Sequence, residues 1–263
     1  MYQKFLLFLI CMSCLPSWLL AGELKLNLAP VWWQYEELSG KQAGFNSTPL
    51  HSVARGYALQ VGATSSLEVS PQWYVALGWK GMLPMNQATE RWQLGNGVQK
   101  NDLQVIQSDF KIALNRQWQD VQTGVFLAYQ WHQQSRKQFV KNGLRTVVTG
   151  EPIKETVQST WLGLSVQSGN DMGEVHLEAG LPVWVYTTND LIRGSFRKRT
   201  GFRIQASGEM HLPWQWFDGV ETSLTGNYSY RELGGEVLKT LNQTWLWPKN
   251  RWQMASLGLA FAW

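Results

Sequence analysis

The sequence predicts an all-β protein, a ten-stranded antiparallel transmembrane β-barrel with short turns at one end and long loops at the other. Three observations predict this fold. An apolar export segment opens the chain, later segments of about ten residues alternate apolar and polar side chains, and the links between them alternate between short and long. The mean hydropathy of −0.25 argues against a bundle of membrane helices, and the net charge of +4 is too small to indicate a nucleic-acid partner.

Residues 1–21 are predicted to be a secretory signal peptide. Lys4 precedes the apolar run 5–21, and Ala21 is the kind of small residue that precedes a cleavage site. Both cysteines, Cys11 and Cys14, lie inside this segment. We therefore expect one exported domain over residues 22–263, without disulfide or thiol chemistry.

The later segments have a period of two. In Val121–Trp131 the odd positions are mostly apolar, whereas the even positions include Gln122, Gly124 and Gln130. Only a β-strand puts alternate residues on opposite faces. The predicted strands are 23–35, 53–65, 73–83, 103–114, 121–132, 157–167, 174–186, 201–212, 220–231 and 252–263. Short links fall near 66–72, 115–120, 168–173 and 213–219, and long links at 36–52, 84–102, 133–156, 187–200 and 232–251.

Two of these elements need separate comment. In the first strand, Pro30 and Trp32-Trp33 interrupt the alternation, which predicts a β-bulge. The long link 133–156 contains Phe139, Val140, Val147 and Val148, so its two flanking strands are expected to continue above the membrane as a hairpin.

The last strand alternates up to a terminal aromatic residue, through Leu257, Leu259, Phe261 and Trp263. This pattern resembles the closing-strand signal of Gram-negative outer-membrane barrels, which the barrel-assembly machinery reads. The resemblance implies location in the outer membrane after export by the general secretory route. It also implies an even number of strands with short periplasmic turns, long extracellular loops and both termini in the periplasm.

Three further segments are similar to the omptins, which are ten-stranded outer-membrane proteases. They are Ser70-Pro71-Gln72 leading into a strand that ends Gly78-Trp79, the run 109–112 before 124–130, and Trp161–Ser165. The omptin site needs an Asp-x-Asp pair in the second loop and an Asp–His pair in the fourth. Here the second loop holds only Glu90 as an acid and the fourth holds Asp190 without a histidine, so the resemblance implies a non-proteolytic relative.

A set of charged side chains is predicted to point into the lumen and to form a polar network with Lys25 and Lys111. Its members are Glu174, His176, Glu178, Arg203, Glu209, His211, Glu221 and Arg231. If His176 pairs with His211 across a hairpin, then Glu178 lies opposite Glu209, with Glu221 near His211. Buried charges must be paired, so we interpret the set as a network that fills a narrow barrel. A metal or transport site and an acid–base pair remain open, and no metal or cofactor is assigned.

The long loops are basic, which suits the phosphate-rich lipopolysaccharide of the outer leaflet. The candidate surface-binding residues are Arg136, Lys137, Lys141, Arg145, Arg193, Arg197, Lys198 and Arg199. Omptins carry a basic lipopolysaccharide site on the outer barrel wall, and Arg136, shortly after Tyr129, is placed like part of one. An extracellular protein or polysaccharide is an alternative ligand for the same loops.

The sequence thus favours a monomeric barrel with a structural or surface-binding role, without an assigned catalytic residue. A narrow channel is one alternative, although ten strands usually leave a lumen filled by side chains. An outer-membrane hydrolase is the other. Ser207 and His211 share a strand face but lie about 13 Å apart, and His132 near Ser135 is expected at a loop edge without an acidic partner.

Overall fold

The computed structural model describes residues 23–38, 50–94, 97–141, 144–146, 152–190, 192–196, 200–213, 219–239 and 244–263. No helix long and apolar enough to cross a membrane occurs among these residues. The described chain is built from β-strands, which are β1 (Glu23–Leu38), β2 (Leu50–Ser70), β3 (Trp73–Pro84), β4 (Ala88–Leu94), β5 (Gly97–Trp118), β6 (Val121–Lys141), β7 (Leu144–Thr146), β8 (Ile153–Asn170), β9 (Gly173–Asn189), β10 (Ile192–Phe196), β11 (Gly201–His211), β12 (Glu221–Leu233), β13 (Glu236–Lys239), β14 (Thr244–Trp247) and β15 (Lys249–Ala262).

The sheet closes on itself, which confirms the predicted ten-stranded antiparallel barrel. Its wall is formed by β1, β2, β3, β5, β6, β8, β9, β11, β12 and β15. The last strand pairs with both β12 and β1, so that Ala262 lies opposite Glu221 on one side and Lys25 on the other. Two backbone hydrogen bonds between Leu24 and Trp263, at 3.0 and 3.3 Å, complete the seam. Closure removes the unpaired sheet edges that could not exist in lipid.

The two ends of the barrel differ. Three of the short links are two-residue turns, at 71–72, 119–120 and 171–172, and the first and last described residues, Glu23 and Trp263, lie at this end. At the other end β4 pairs with β2 and β5, so it continues the wall where β3 stops at Pro84. There β6 runs to Lys141 before β8 begins at Ile153, so the hairpin predicted for 133–156 is confirmed. We refer to the short-turn end and the long-loop end below.

Alternate side chains face the lumen and the outside. On β1, Val31 and Trp33 are 1% exposed, whereas Leu26 and Leu28 are 38% and 48% exposed. Large apolar side chains are exposed in the same way on all ten wall strands, and they include Leu83, Ile112, Val125, Leu164, Leu177, Ile204, Tyr228 and Leu257. Soluble proteins do not expose an apolar surface of this extent, so this band is the surface that faces lipid.

The expected bulge in the first strand is wrong, because β1 keeps one register with β2 from Glu23 to Leu38. A register shift occurs instead between Thr160 and Trp161 of β8, opposite Trp184 and Pro182 of β9. The extra residue on β9 reverses which positions face inward. Val185, which the uninterrupted alternation placed with the outward side chains, is therefore buried at 1% exposure.

An apolar core occupies the middle of the lumen. Its central pair is Trp33 and Trp252, whose rings stack with centroids 5.2 Å apart, and around them lie Val31, Tyr35, Leu103, Val105 and Met254. A second group contains Phe126, Val157, Trp161, Val185 and Leu233. Along β5, Leu103 and Val105 separate Asn101 on the long-loop side from Gln107 and Asp109 on the short-turn side. The core therefore divides the polar lumen into an upper and a lower part.

Candidate functional site

The upper part of the lumen contains one arginine surrounded by three glutamates. Arg136 Nε and Nη2 donate to the two carboxylate oxygens of Glu90 at 2.8 and 3.1 Å. Nη1 donates to Glu155 Oε2 at 3.0 Å, and Nη2 also donates to Glu37 Oε1 at 3.0 Å. All four residues are at most 4% exposed. We call Arg136, Glu37, Glu90 and Glu155 the arginine cluster.

Neutral side chains complete this cluster. Ser52 Oγ and Asn101 Nδ2 each donate to Glu90 at 2.9 Å. The Tyr35 hydroxyl donates to Glu37, and Gln134 Oε1 accepts from Arg136 Nη2 at 2.9 Å. The cluster and these partners come from β1, β2, β4, β5, β6 and β8. Charged groups out of water are stable only when they are paired and hydrogen-bonded, so the cluster ties six strands together across the lumen.

The pKa values of Glu37 and Glu90 are shifted in opposite directions. Burial raises the pKa of Glu37, and the nearby Arg136 offsets this only in part. Burial also acts to raise the pKa of Glu90, but its paired contact with Arg136 outweighs burial and leaves that pKa lowered. Both groups lie above the lipid-facing band, since their outward neighbours Glu36 and Arg91 are charged. The cluster therefore combines one carboxylate that holds its charge with one that favours its proton.

The prediction that placed Arg136 on an exposed loop or on the outer wall is therefore wrong, because this side chain is buried in the lumen. The strand β6 does not end near residue 132 but continues to Lys141, and even-numbered residues of β6 up to Arg136 face inward. His132 is corrected in the same way. It is 1% exposed, and its ring lies edge-on to Trp252 at 4.7 Å rather than at a loop edge.

In the lower part of the lumen, Glu178 is the centre of a second network. It accepts hydrogen bonds from Lys111 Nζ and from Arg203 Nη2, the latter at 3.2 Å. His176 Nε2 lies 2.8 Å from the same carboxylate. Closer to the short-turn end, Lys25 Nζ donates to Glu209 at 3.0 Å and lies 3.9 Å from Glu174.

The register of this network differs from the one considered for the sequence. His176 lies opposite Ser207, and Glu178 lies opposite Gln205, a displacement of four residues from the pairing of His176 with His211. His211 instead contacts Ser223 Oγ at 3.1 Å. Glu221 lies at the exposed end of β12, and Arg231 lies higher in the lumen, with its guanidinium 5.9 Å from the Trp252 ring centroid. No group of three or more His, Cys, Asp or Glu residues suited to a metal ion occurs in the described ranges.

The other predicted surface residues lie at the long-loop end. Lys137 is exposed on the outer face of β6. Lys141, Arg145 and Arg193 lie on β6, β7 and β10, where the backbone alone is described. Arg197, Lys198 and Arg199 lie outside the described residues.

The outer wall carries a basic surface that the sequence reasoning missed. Arg91 of β4 and Lys100 of β5 are direct cross-strand partners. Lys137 of β6 lies opposite Asp102 of β5, and Arg55 of β2 lies opposite Thr89 of β4. All four cations are exposed, and we call Arg55, Arg91, Lys100 and Lys137 the wall patch. The signal was present as alternation that continues through 84–102, a range assigned to a loop.

The wall patch lies just above the apolar band. On β2, Arg55 lies two residues beyond the exposed Tyr57 on the same outer face, toward the long-loop end. Aromatic side chains at such positions form the girdle that marks the membrane interface. The patch is therefore placed at the level of lipid head groups.

A closed ten-stranded antiparallel barrel with an apolar outer band and a lumen crossed by side chains has the fold of the outer-membrane β-barrels. The outer membrane protease OmpT of Escherichia coli has the same fold, with a TM-score of 0.58 at 10% identity over 92% of this chain and 97% of that chain. The translocator domain of the autotransporter NalP from Neisseria meningitidis has a TM-score of 0.37 at 14% identity, over 90% of this chain and 88% of that chain. For Ail of Yersinia pestis the values are 0.33 and 9%, over 92% and 99%.

No protein-family model and no curated protein sequence matches the chain. The likeness to OmpT confirms the omptin-like resemblance at the level of the fold. At 10% identity it concerns the fold alone.

Proposed function

We propose that this barrel binds lipopolysaccharide on its outer wall, through contacts between the wall patch and lipid phosphates. The observation that carries the proposal is the direct cross-strand pair of Arg91 and Lys100. Like charges directly opposite each other destabilise a sheet, so an anion between them relieves a repulsion that the bare wall retains. Guanidinium and ammonium groups are both good phosphate ligands.

The charge balance of the wall supports a ligand at this place. Arg91, Lys100 and Lys137 have no carboxylate within 4.0 Å among the described residues. On β15, by contrast, the outward cations are neutralised within the protein. Arg251 Nε and Lys249 Nζ lie 3.0 and 2.6 Å from the oxygens of Glu232. The wall patch is therefore available to an external anion in a way that the pair on β15 is not.

A lumen closed by side chains in its middle and upper parts supports a binding or structural role over conduction. The apolar core and the arginine cluster lie one above the other between the two ends. Barrels of about this strand number usually have interiors filled by side chains. The outer wall and the loops are then the surfaces through which such a barrel acts.

The proposal is tested by measuring binding of purified lipopolysaccharide to the folded barrel in detergent. The variant combines Arg91→Gln, Lys100→Gln and Lys137→Gln. We expect its affinity to fall about tenfold, because each exposed ionic contact contributes roughly 0.2–1 kcal/mol. Enzymatically dephosphorylated lipopolysaccharide should bind the original protein with a similar loss.

The matched control removes two outer-wall cations that are already paired, through Lys249→Gln and Arg251→Gln. It should bind lipopolysaccharide as the original protein does. Equal affinity of the triple variant and the original protein would exclude the wall patch as the site. Equal affinity of the original protein for intact and dephosphorylated lipopolysaccharide would exclude it as well.

A further inference from the structure

The lower lumen forms a cavity that opens at the short-turn end. Its volume is about 460 Å³, and Glu23 and Thr64, which line its lower rim, are exposed. At its top the cavity continues into a narrow recess of about 40 Å³ beneath Trp252. Six residues line both spaces, namely Gln60, Lys80, Asp109, Arg203, Gln205 and Asn227. A solute that enters from the short-turn end therefore reaches a blind polar recess below the apolar core.

Polar atoms without a protein partner gather at this recess. Trp252 is 1% exposed and Gln130 is 6% exposed, and neither Trp252 Nε1 nor Gln130 Oε1 has a hydrogen-bond partner among the described residues. The same holds for Asp109 Oδ1 and Asn227 Oδ1. Buried polar groups in native proteins are nearly always hydrogen-bonded. The amide groups of Gln130 and Asn227 can present either an oxygen or an NH2 group by rotation. The indole donor of Trp252 and the carboxylate acceptor of Asp109 are fixed, so they indicate an occupant that both accepts and donates hydrogen bonds.

The charges that line the recess favour an anion. Lys80, Arg203 and Arg231 are its cations, and Asp109 is its only carboxylate among the described lining residues. Lys80 Nζ has no carboxylate within 4.0 Å among the described residues. Asp109, the direct cross-strand partner of Lys80, lies beyond that distance, and Glu178 of the lower network is already shared by Lys111 and Arg203. A cation in an interior space must be compensated, and an anion bound beside Lys80 supplies that compensation.

We propose that the recess binds a protonated phosphate group from the periplasmic side. Lys80 Nζ is the charge partner, and Trp252 Nε1 donates a hydrogen bond to a phosphate oxygen. Asp109 Oδ1 accepts the hydrogen of the P–OH group. At neutral pH, monohydrogen phosphate carries this hydrogen whereas sulfate does not, so the carboxylate of Asp109 accepts one ion and repels the other. The site is independent of the wall patch, which lies on the opposite face of the sheet.

The proposal is tested by titrating the folded barrel in detergent with inorganic phosphate and with sulfate at pH 7 and constant ionic strength. Calorimetry gives the affinity and the stoichiometry, and a change in tryptophan fluorescence that is lost in Trp252→Phe reports on Trp252. We expect saturable binding of one phosphate per chain, with sulfate at least tenfold weaker. Glycerol phosphate in a parallel titration separates a requirement for free phosphate from recognition of a phosphate monoester.

The variants distinguish a specific phosphate site from non-specific electrostatic attraction of anions. Lys80→Gln should weaken phosphate binding at least tenfold, whereas Lys80→Arg should retain it. Asp109→Asn should bring sulfate to within a few-fold of phosphate, because the repulsion is removed. Lys249→Gln, a charge change on the outer wall outside the wall patch, is the matched control and should leave phosphate binding unchanged.

Folding of each variant is checked by its heat-dependent mobility in detergent gels. The absence of saturable phosphate binding in the original protein would overturn the proposal and leave the recess as a hydrated space. Equal phosphate affinity in folded Lys80→Gln would also overturn it. Neither result bears on lipopolysaccharide binding, which depends on different side chains.

Discussion

At the scale of single residues, the upper lumen shows how two identical side chains acquire different roles from their surroundings. Glu90 accepts four hydrogen bonds, two from Arg136 and one each from Ser52 and Asn101. Glu37 shares the same guanidinium and receives the Tyr35 hydroxyl. A carboxylate that accepts several hydrogen bonds favours its charged form, whereas burial with fewer partners favours the neutral form. Chemically identical substitutions should therefore differ greatly in their cost within one cluster.

The first residue-scale prediction compares Glu37→Gln with Glu90→Gln. The pKa of Glu90 is lowered, so its contribution to stability is present above the usual carboxyl pKa and is lost as pH falls through the lowered value. Glu90→Gln leaves Arg136 without its paired carboxylate, and we expect a loss of about 3–5 kcal/mol at neutral pH. The measurement is the unfolding midpoint by tryptophan fluorescence in detergent.

The pKa of Glu37 is shifted in the opposite direction to that of Glu90. Its pKa is raised from 4.5, so the folded state holds a proton that the unfolded state has released, and stability falls as pH rises from 4.5 towards the raised value. Glu37→Gln should therefore be nearly neutral at pH 7 and should flatten this fall. Glu232→Gln, which removes an ion pair on the outer wall, is the control. A loss for Glu37→Gln as large as that for Glu90→Gln would refute the assignment.

Sequence alternation assigns a face but not a height or a register, and single residues show the difference. His176 and Glu178 face the lumen as predicted, yet their partners on β11 are displaced by four residues. A displacement by an even number leaves every side chain on its own face, so the pattern cannot distinguish the two pairings. The sequence also could not predict which of Trp32 and Trp33 faces inward, because both are aromatic. The closed sheet shows that Trp33 lies in the core.

At the scale of strands, close approach across β8 and β9 determines where glycine is required. Gly163 and Gly180 are cross-strand partners, and the ring of the buried Phe126 lies against them. A Cβ added at Gly163 would lie 2.2 Å from the Ala179 oxygen and 2.4 Å from Phe126 Cζ. The missing side chains of Gly163 and Gly180 therefore leave the space that the Phe126 ring occupies inside the barrel.

The strand-scale prediction is that Gly163→Ala lowers the free energy of unfolding by about 1–3 kcal/mol, as overpacking of a filled interior does. Gly226→Ala on β12 is the matched control, because a Cβ there meets no atom within 4 Å. Its effect should stay within about 1 kcal/mol, in the stabilising direction that replacement of a strand glycine favours. Urea unfolding in lipid vesicles measures both variants, and equal effects would show that the close contacts at Gly163 are relieved by movement of both Phe126 and the backbone of β9.

At the scale of the whole molecule, strand number, closure and the asymmetry of the two ends were predictable, because lipid imposes them on any chain that crosses it with strands. The contents of the lumen were not predictable. Even positions of β6 include Phe126, Gln130, His132 and Arg136, and the period of two assigns all of them to one side. Whether that side is a channel, a polar plug or a layered interior depends on neighbours that meet only after the barrel closes.

The layered interior leads to the last prediction, which concerns conduction. The apolar core around Trp33 and Trp252 and the arginine cluster lie in series along the lumen, so an ion must pass both. The original protein should therefore give no steady unitary current in a planar bilayer at high salt. Trp252→Ala should also be silent, because the arginine cluster still closes the upper lumen, while it should alter the fluorescence response to phosphate. A porin measured in the same membrane verifies the assay. Stable unitary steps from the original protein would show that neither layer closes the lumen, and the barrel would then act as a channel.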